Sequence, residues 1–264
     1  MQPLLNIAVR AARRAGDLIV KSLSRLDSLK IDSKGRNDFV SDVDRKSEAD
    51  IIATIHKHHP DHAVHGEETG RTGESDFVWI VDPLDGTTNF LHGFPTFAVS
   101  IAVQVKGRIQ HGVVYDPMRQ ELFTASRGDG AQLDGKRIRV SNQRTLEGSL
   151  VGTGFPFRAG ANLDAYLAML KVVMGTAAGV RRPGAASLDL AYIAAGRMDA
   201  FWEFGLAPWD TAAGTLLIQE AGGRVSTPSG GDYILGPNIV AGSPKVFTQL
   251  LEALGPLLPA DLKN

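Results

Sequence analysis

The run Trp79-Ile80-Val81-Asp82-Pro83-Leu84-Asp85-Gly86-Thr87-Thr88-Asn89-Phe90 decides how the rest of the chain is read. An apolar strand over Phe77 to Val81 delivers Asp82 at its end. Pro83 and Gly86 then force a turn, and Asp85 and Thr87 stand where a helix or helical turn begins. Backbone N–H groups at such a turn lack intrahelical partners and attract an anion such as phosphate. Two carboxylates three positions apart in a turn can converge on one point. Acids at the mouth of an anion site would repel the anion unless cations intervene, so the pattern calls for metal.

Working outward, two more acidic features join this one. Gly66-Glu67-Glu68 follows a short strand upstream, and Ala207-Pro208-Trp209-Asp210 puts an aspartate at a helix start downstream. If Glu67, Asp82, Asp85 and Asp210 meet, four bare carboxylates raise one another's pKa values and strain the fold. Two divalent cations would cancel those charges and leave coordination positions for phosphate and water. Oxygen-only ligands favour Mg²⁺ or Mn²⁺ over Zn²⁺. Two such ions about 3.5–4 Å apart can clamp the attacking and leaving oxygens of an in-line displacement. An isolated acid in a loop is usually a helix cap or a turn residue; the combination lifts this set above that reading.

The remaining pattern is layered α and β. An amphipathic helix spans about 3–24, with Leu4, Ala8, Ala11, Ala15, Leu18 and Ile19 on one stripe. A polar stretch over Lys30 to Asn37 precedes a second helix from Ser41 or Asp42, which carries Ala49, Ile52 and Ile55 inward and ends by Pro60. Strands are expected at Ala63-Val64, Phe77–Val81, Ala98–Val105 and Ile109–Tyr115, the last two joined by a Lys106-Gly107-Arg108 turn. Further on come strands at Leu150–Thr153, Asp199–Trp202, Arg224-Val225 and Ile239-Val240. Helices are expected within Leu163–Met174 and near Ala185–Ala195, Trp209–Glu220 and Lys245–Leu254. A soft boundary near residue 145 divides an N-terminal α+β lobe, 1–145, carrying most metal ligands, from a C-terminal α/β lobe, 146–264, completing the substrate site.

Composition narrows the function classes. A 264-residue chain with 43% hydrophobic and 22% charged residues is an ordinary globular sequence, and a formal net charge of −1 argues against a generally basic nucleic-acid binder. With no cysteine, thiolate metal sites, disulfides and a cysteine nucleophile are excluded. No leader is evident, no apolar run approaches the ~20 residues that span a bilayer, and a cytoplasmic protein is expected. His56, His58, His59, His62 and His65 crowd together, but Pro60 interrupts any regular spacing. They are read as side chains near a helix C-terminus rather than zinc ligands. An aspartyl nucleophile is rejected, because Pro83 stands where the attacking acid would be. Gly152-Thr153-Gly154 and Gly128-Asp129-Gly130 match neither the Walker loop nor the dinucleotide fingerprint.

These residues resemble the inositol monophosphatase family, and within it the bacterial SuhB-type branch. The likeness runs over essentially the whole chain, through Asn37 to Asp44, Gly66-Glu67-Glu68, Asp82 to Phe90, Tyr115-Asp116-Pro117, Gly154-Phe155-Pro156-Phe157 and Pro208 to Gly214. The resemblance implies a layered α-β-α-β-α sandwich, of the inositol monophosphatase and fructose bisphosphatase type, and usually a homodimer. It implies that Glu67, Asp82, Asp85, Asp210 and the Leu84 carbonyl hold two or three Mg²⁺ ions, with Mn²⁺ an alternative. Gly86 and Thr87 would bind phosphate through backbone N–H groups. Thr87, paired with Asp44, and Glu67 would orient an attacking water. Gly184, Ala185, Glu203, Asp85 and Asp210 would contact the substrate, and Lys34 resembles a lysine ahead of the Asp44 motif.

The implied activity is Mg²⁺-dependent, lithium-sensitive hydrolysis of myo-inositol monophosphates and other small sugar-alcohol phosphates. Histidinol phosphate, 3′-phosphoadenosine phosphates and fructose bisphosphate are substrates of related families that share the aspartate motif. Many animal members carry histidine where this chain has Ala207. Arg181 and Arg182 are expected at a subunit interface in preference to a phosphate contact. The branch is also associated with transcription, so a role as a partner of elongation factors or RNA polymerase is a further expectation.

Overall fold

The computed structural model describes residues 2–35, 38–156 and 162–262. Two sheets and three helix layers alternate. The first helix, α1 (Pro3–Ser22), runs into a 3-10 turn at Leu23–Ser28 and a hairpin, β1 (Ile31–Gly35) and β2 (Asp38–Ser41), before α2 (Asp42–His56). An eight-stranded sheet follows: β3 (Ala63–Gly66), β4 (Gly70–Thr72), β5 (Phe77–Asp85), β6 (Ala98–Val105), β7 (Arg108–Asp116), β8 (Glu121–Ser126), β9 (Gly130–Leu133) and β10 (Lys136–Arg137). Between β5 and β6 lies the short helix α3 (Thr87–Leu91). The strand order is β10-β9-β8-β7-β6-β5-β3-β4, antiparallel except for the β3–β5 pair.

The second sheet holds β11 (Leu150–Thr153), β12 (Gly179–Arg181), β13 (Ala200–Phe204), β14 (Arg224–Ser226) and β15 (Asn238–Gly242) in the order β12-β11-β13-β15-β14. Its helices are α4 (Leu163–Thr176), α5 (Ala186–Ala194), α6 (Pro208–Glu220) and α7 (Pro244–Leu254). Helices α1 and α2 pack on the outer face of the large sheet, α5 and α6 lie between the sheets, and α4 and α7 cover the far face of the small one. This is the α-β-α-β-α arrangement expected.

Strand periodicity explains the layers. Along β5, Val78 and Ile80 face the central core while Trp79 and Val81 face α1 and α2. Along β13, Phe201 enters the central core and Ala200 and Trp202 enter the outer one. Both faces of both sheets are therefore apolar. Helix α6 lies close on β7: a Cβ on Gly112 of β7 would lie 2.9 Å from the Ala213 carbonyl oxygen of α6.

The structure departs from the sequence reading at several points. Ala49 of α2 is exposed, and the buried face is Val43, Asp44, Ser47, Glu48, Ile51 and Ile55. The polar stretch after residue 30 enters a hairpin, and strand β4 stands between the strands expected at Ala63-Val64 and Phe77–Val81. The first helix gives way to a 3-10 turn at Leu23. Strand β5 does not stop at Asp82 but continues through Pro83 to Asp85. Among the described residues no helix is long and apolar enough to cross a membrane.

Candidate active site

The acidic centre begins with an irregularity in β5. Asp82 pairs with Ser100 and Asp85 with Ala98, so β5 spends three steps where β6 spends two. Pro83 has no N–H for the ladder, and the extra residue is a bulge. In a regular strand, side chains three apart point to opposite faces. The bulge reverses the alternation: Val81 and Leu84 both enter the outer core, while Asp82 and Asp85 converge on the other side. Gly86 then takes φ of 90°, and a Cβ there would lie 2.9 Å from the Thr96 carbonyl oxygen, so glycine is required.

Strand pairing brings the other acids in. Gly66 of β3 pairs with Val81, and the Glu67 N–H donates to the Val81 carbonyl at 3.1 Å, which sets Glu67 beside Asp82. Ser100, opposite Asp82, donates its hydroxyl to the Trp209 carbonyl at 3.1 Å and so anchors the start of α6 to the same strand pair. Asp210, in the first turn of α6, accepts the Ala207 N–H at 2.7 Å. Carboxylate oxygens of Asp82, Asp85 and Asp210 lie within 4.8 Å of one another, the one such group of three or more metal-ligating side chains among the described residues. The histidine cluster does not form one. Burial, and then Glu67, Asp85 and Asp210, push the proton affinity of Asp82 well above the usual carboxylate range. A cation would relieve both causes, and an all-oxygen donor set suits a hard divalent ion. The residues fit a metal.

Thr87 and Asp44 meet as expected. The Thr87 hydroxyl is 2.9 Å from Asp44 Oδ1 and 3.1 Å from the Leu84 carbonyl. Asp44 lies buried behind Thr87, where its Oδ2 accepts both the Ser41 N–H at 2.8 Å and the Ser41 hydroxyl at 2.5 Å. Its pKa is raised by burial, against the hydrogen bonds from Ser41 and Thr87.

A cavity of about 780 Å³ opens over this centre. Glu67, Asp82, Leu84, Asp85, Gly86, Thr87, Gly184, Ala185, Glu203 and Asp210 all line it. Asp44 alone among the expected site residues stands outside its wall. The loop before α5 is tied to α3 by Asn89, whose Nδ2 donates to the carbonyls of Pro183 at 2.9 Å and Thr96 at 2.7 Å. Arg182 also lines the cavity, its guanidinium 5.4 Å from the centre of the Phe155 ring. The Lys34 side chain, Asn37 and Phe157 lie outside the described residues.

Several participants escaped the sequence reading. Ser187, at the start of α5, donates its N–H at 2.7 Å and its hydroxyl at 2.6 Å to Asp85 Oδ2. Asp189, two residues on, is buried at the cavity wall, and its Oδ1 has no hydrogen-bond partner among the described residues. Its pKa is pushed well up by burial and by Glu203 and Asp85, with Arg182 opposing. The one charged residue in the run Ala186 to Ala194 was the available signal. Ser47 and Glu48, also buried, sit one helical turn beyond Asp44 on the same face of α2.

Comparison with known proteins places the chain in a family. The profile described as the Inositol monophosphatase family matches residues 1–256. A Pseudomonas aeruginosa protein named Nus factor SuhB is 57% identical over 271 residues, covering 100% of both chains. The crystal structure of extragenic suppressor protein SuhB from Bartonella henselae superposes with a TM-score of 0.93 at 45% identity, over 96% of this chain and 98% of that one. The inositol monophosphatase from Anabaena superposes with a TM-score of 0.83 at 35% identity, over 98% and 97%.

Proposed function

Because this chain belongs to the inositol monophosphatase family, we propose that it is a phosphomonoesterase acting on myo-inositol monophosphates and other small sugar-alcohol phosphates with Mg²⁺. The observation that carries this reading is the convergence of buried Asp82 and Asp85 with half-buried Asp210 at one cavity, beside Thr87 and its partner Asp44. The Anabaena relative's name, inositol monophosphatase, supports the substrate class.

Glu67, Asp82, Asp85, Asp210 and the Leu84 carbonyl would hold two or three Mg²⁺ ions, for which Mn²⁺ can substitute. When bound, the ions supply charge neutralisation at the phosphate and a water acidic enough to attack it. Asp44 draws the Thr87 hydroxyl proton towards its Oδ1, which leaves the Thr87 oxygen lone pairs to accept a hydrogen bond from that water. Glu67 shares the task of orienting it. The N–H groups of Gly86 and Thr87 take phosphate oxygens. Glu203, Asp210, Gly184 and Ala185 would contact the alcohol part; as the water oxygen bonds to phosphorus the ester P–O bond breaks, and one proton of that water ends on the departing alcohol oxygen. Phosphate release from a panel of phosphomonoesters, with Mg²⁺, EDTA or added Li⁺, tests the proposal. Mg²⁺-dependent, Li⁺-inhibited release that is fastest for inositol monophosphates is expected; equal, metal-independent rates on every ester overturn it.

A second reading rests on the name of the 57% identical relative, Nus factor SuhB. We propose that this chain also contacts the transcription machinery, elongation factors or RNA polymerase, in the cytoplasm. Rescue of a deletion strain by a catalytically dead Asp82→Asn chain would favour this role over catalysis. A homodimer is proposed as well, supported by exposed Leu163, Leu167 and Met174 along α4. Light scattering at the mass of one chain would contradict it.

A further inference from the structure

Glu48 is fully buried in α2, and among the described residues no Lys, Arg or His forms an ion pair with it. Its two carboxyl oxygens are spent on backbone: Oε2 accepts the Glu68 N–H at 2.9 Å and Oε1 the Thr69 N–H at 2.8 Å. These are the two residues after Glu67, at the point where the chain turns from β3 towards β4. The bonds span 20 and 21 residues of sequence, so they are tertiary contacts and no part of a local turn. Gly66 completes the fit, since a Cβ there would sit on the Glu48 carboxyl group.

The neighbours of Glu48 on α2 do related work. Four residues earlier, Asp44 receives the Thr87 hydroxyl, and one residue earlier Ser47 donates its hydroxyl to the Pro83 carbonyl at 3.1 Å, inside the β5 bulge. Residues at i, i+3 and i+4 share one helix face. One rigid face therefore grips three separate segments: the Thr87 hydroxyl, the backbone between Asp82 and Leu84, and the backbone after Glu67. Neither Glu48 nor Ser47 lines the cavity, so they reach the chemistry only through what they hold.

We propose that Glu48 is a positioning residue for Glu67: through the Glu68 and Thr69 amides it fixes the distance between Glu67 and the Asp82, Asp85, Asp210 group, and so sets the protein's affinity for its divalent cation. This inference rests on the metal-dependent reading of the site above. Outer partners of metal ligands characteristically change metal affinity when removed.

Glu48→Gln is the sharp perturbation. It keeps size and one acceptor, and turns the other contact into two donors facing each other. Gly66→Ala is the second variant, because it displaces the same carboxyl group without touching it chemically. Each full-length protein is assayed for Mg²⁺ activation of myo-inositol 1-phosphate hydrolysis, for Mn²⁺ binding by loss of the free-ion electron paramagnetic resonance signal, and for amide exchange over 66–72. In both variants the half-saturating Mg²⁺ and the Mn²⁺ dissociation constant should rise about 10- to 100-fold. Turnover should recover at saturating Mg²⁺, and exchange should rise at 66–72 while the rest of the chain is unchanged. In a Glu67→Gln background, Glu48→Gln should add no further loss of metal affinity. Unchanged metal dependence in both variants, or a uniform rise in exchange with turnover lost at every Mg²⁺ concentration, overturns the proposal. A parent protein that hydrolyses none of the esters would defeat the functional reading instead, and Mn²⁺ binding with amide exchange would still decide the role of Glu48.

Discussion

Replacing Asp82 by asparagine removes one charge from a group whose carboxylate oxygens lie within 4.8 Å of one another. At that separation and an effective dielectric of about 20, each like-charge pair costs about 3–4 kcal/mol. Asp82 partly escapes this by holding a proton more tightly than an ordinary carboxylate, so the relief on substitution is a fraction of the ceiling, about 1 kcal/mol. The asparagine oxygen can keep the Leu84 N–H bond, now 3.0 Å long, and its amide can donate to Asp85 or Asp210. In EDTA the Asp82→Asn protein should therefore melt higher than its parent, by about 2–4 °C for a chain of this size. In Mg²⁺ at a hundred times its dissociation constant the parent gains about 2.7 kcal/mol, and so about 5–11 °C, while the variant gains little and releases no phosphate. Differential scanning fluorimetry of both proteins in EDTA and in Mg²⁺ should show the order of melting reverse. The same order under both conditions would refute the argument that these acids are held together for a cation.

Three other outcomes are expected. Thr87→Ala should lower kcat by about 10²–10⁴, the usual weight of a positioned proton partner, whereas Thr87→Ser keeps the oxygen and most of the rate; a Thr87→Ala enzyme as fast as its parent counts against the role given to that oxygen. Gly86→Ala should cost about 1–3 kcal/mol in urea denaturation, since an L side chain at φ of 90° is strained whatever the space. His62 accepts the Trp79 indole N–H at 3.0 Å on Nδ1 and stacks on His59 and Phe77. Burial, then His59, lowers its pKa below the ordinary 6.5. Its contribution to stability is therefore complete above the unfolded-state value and declines as pH falls from there to the lower folded-state value, by at most about 1.4 kcal/mol per pH unit. Urea midpoints from pH 8 to 5 should show that decline reduced in His62→Gln, whose amide oxygen still accepts the Trp79 bond; identical slopes would contradict the assignment.

Legibility in the sequence followed the physics of each segment. The layers were readable where apolar periodicity met sheet or helix faces, as in α1 and the β6–β7 hairpin, whose turn takes positive φ at Lys106 and Gly107. The inner face of α2 was misread because much of it is polar: Asp44, Ser47 and Glu48 are buried against the segments that carry the site, and a rule that seeks apolar stripes turned exposed Ala49 inward instead. Helix α6 shows the opposite failure, being buried continuously from Thr211 to Ile218 between two sheets, so its face towards each could not be told from periodicity. The convergence of Asp82 and Asp85 was anticipated, but its device was a strand bulge rather than a turn, and only Pro83 announced it. Ser187 and Glu48 were invisible because their partners lie 102 and 20 residues away in sequence, and nothing local marks such bonds.

Anomalous diffraction from crystals grown with Mn²⁺ examines the heart of this account. Peaks within bonding distance of the Asp82, Asp85 and Asp210 carboxylates, with Glu67 and the Leu84 carbonyl completing the shell, are the expected result. Crystals at full Mn²⁺ occupancy elsewhere, with that acidic centre filled only by water or closed by side chains, would contradict it.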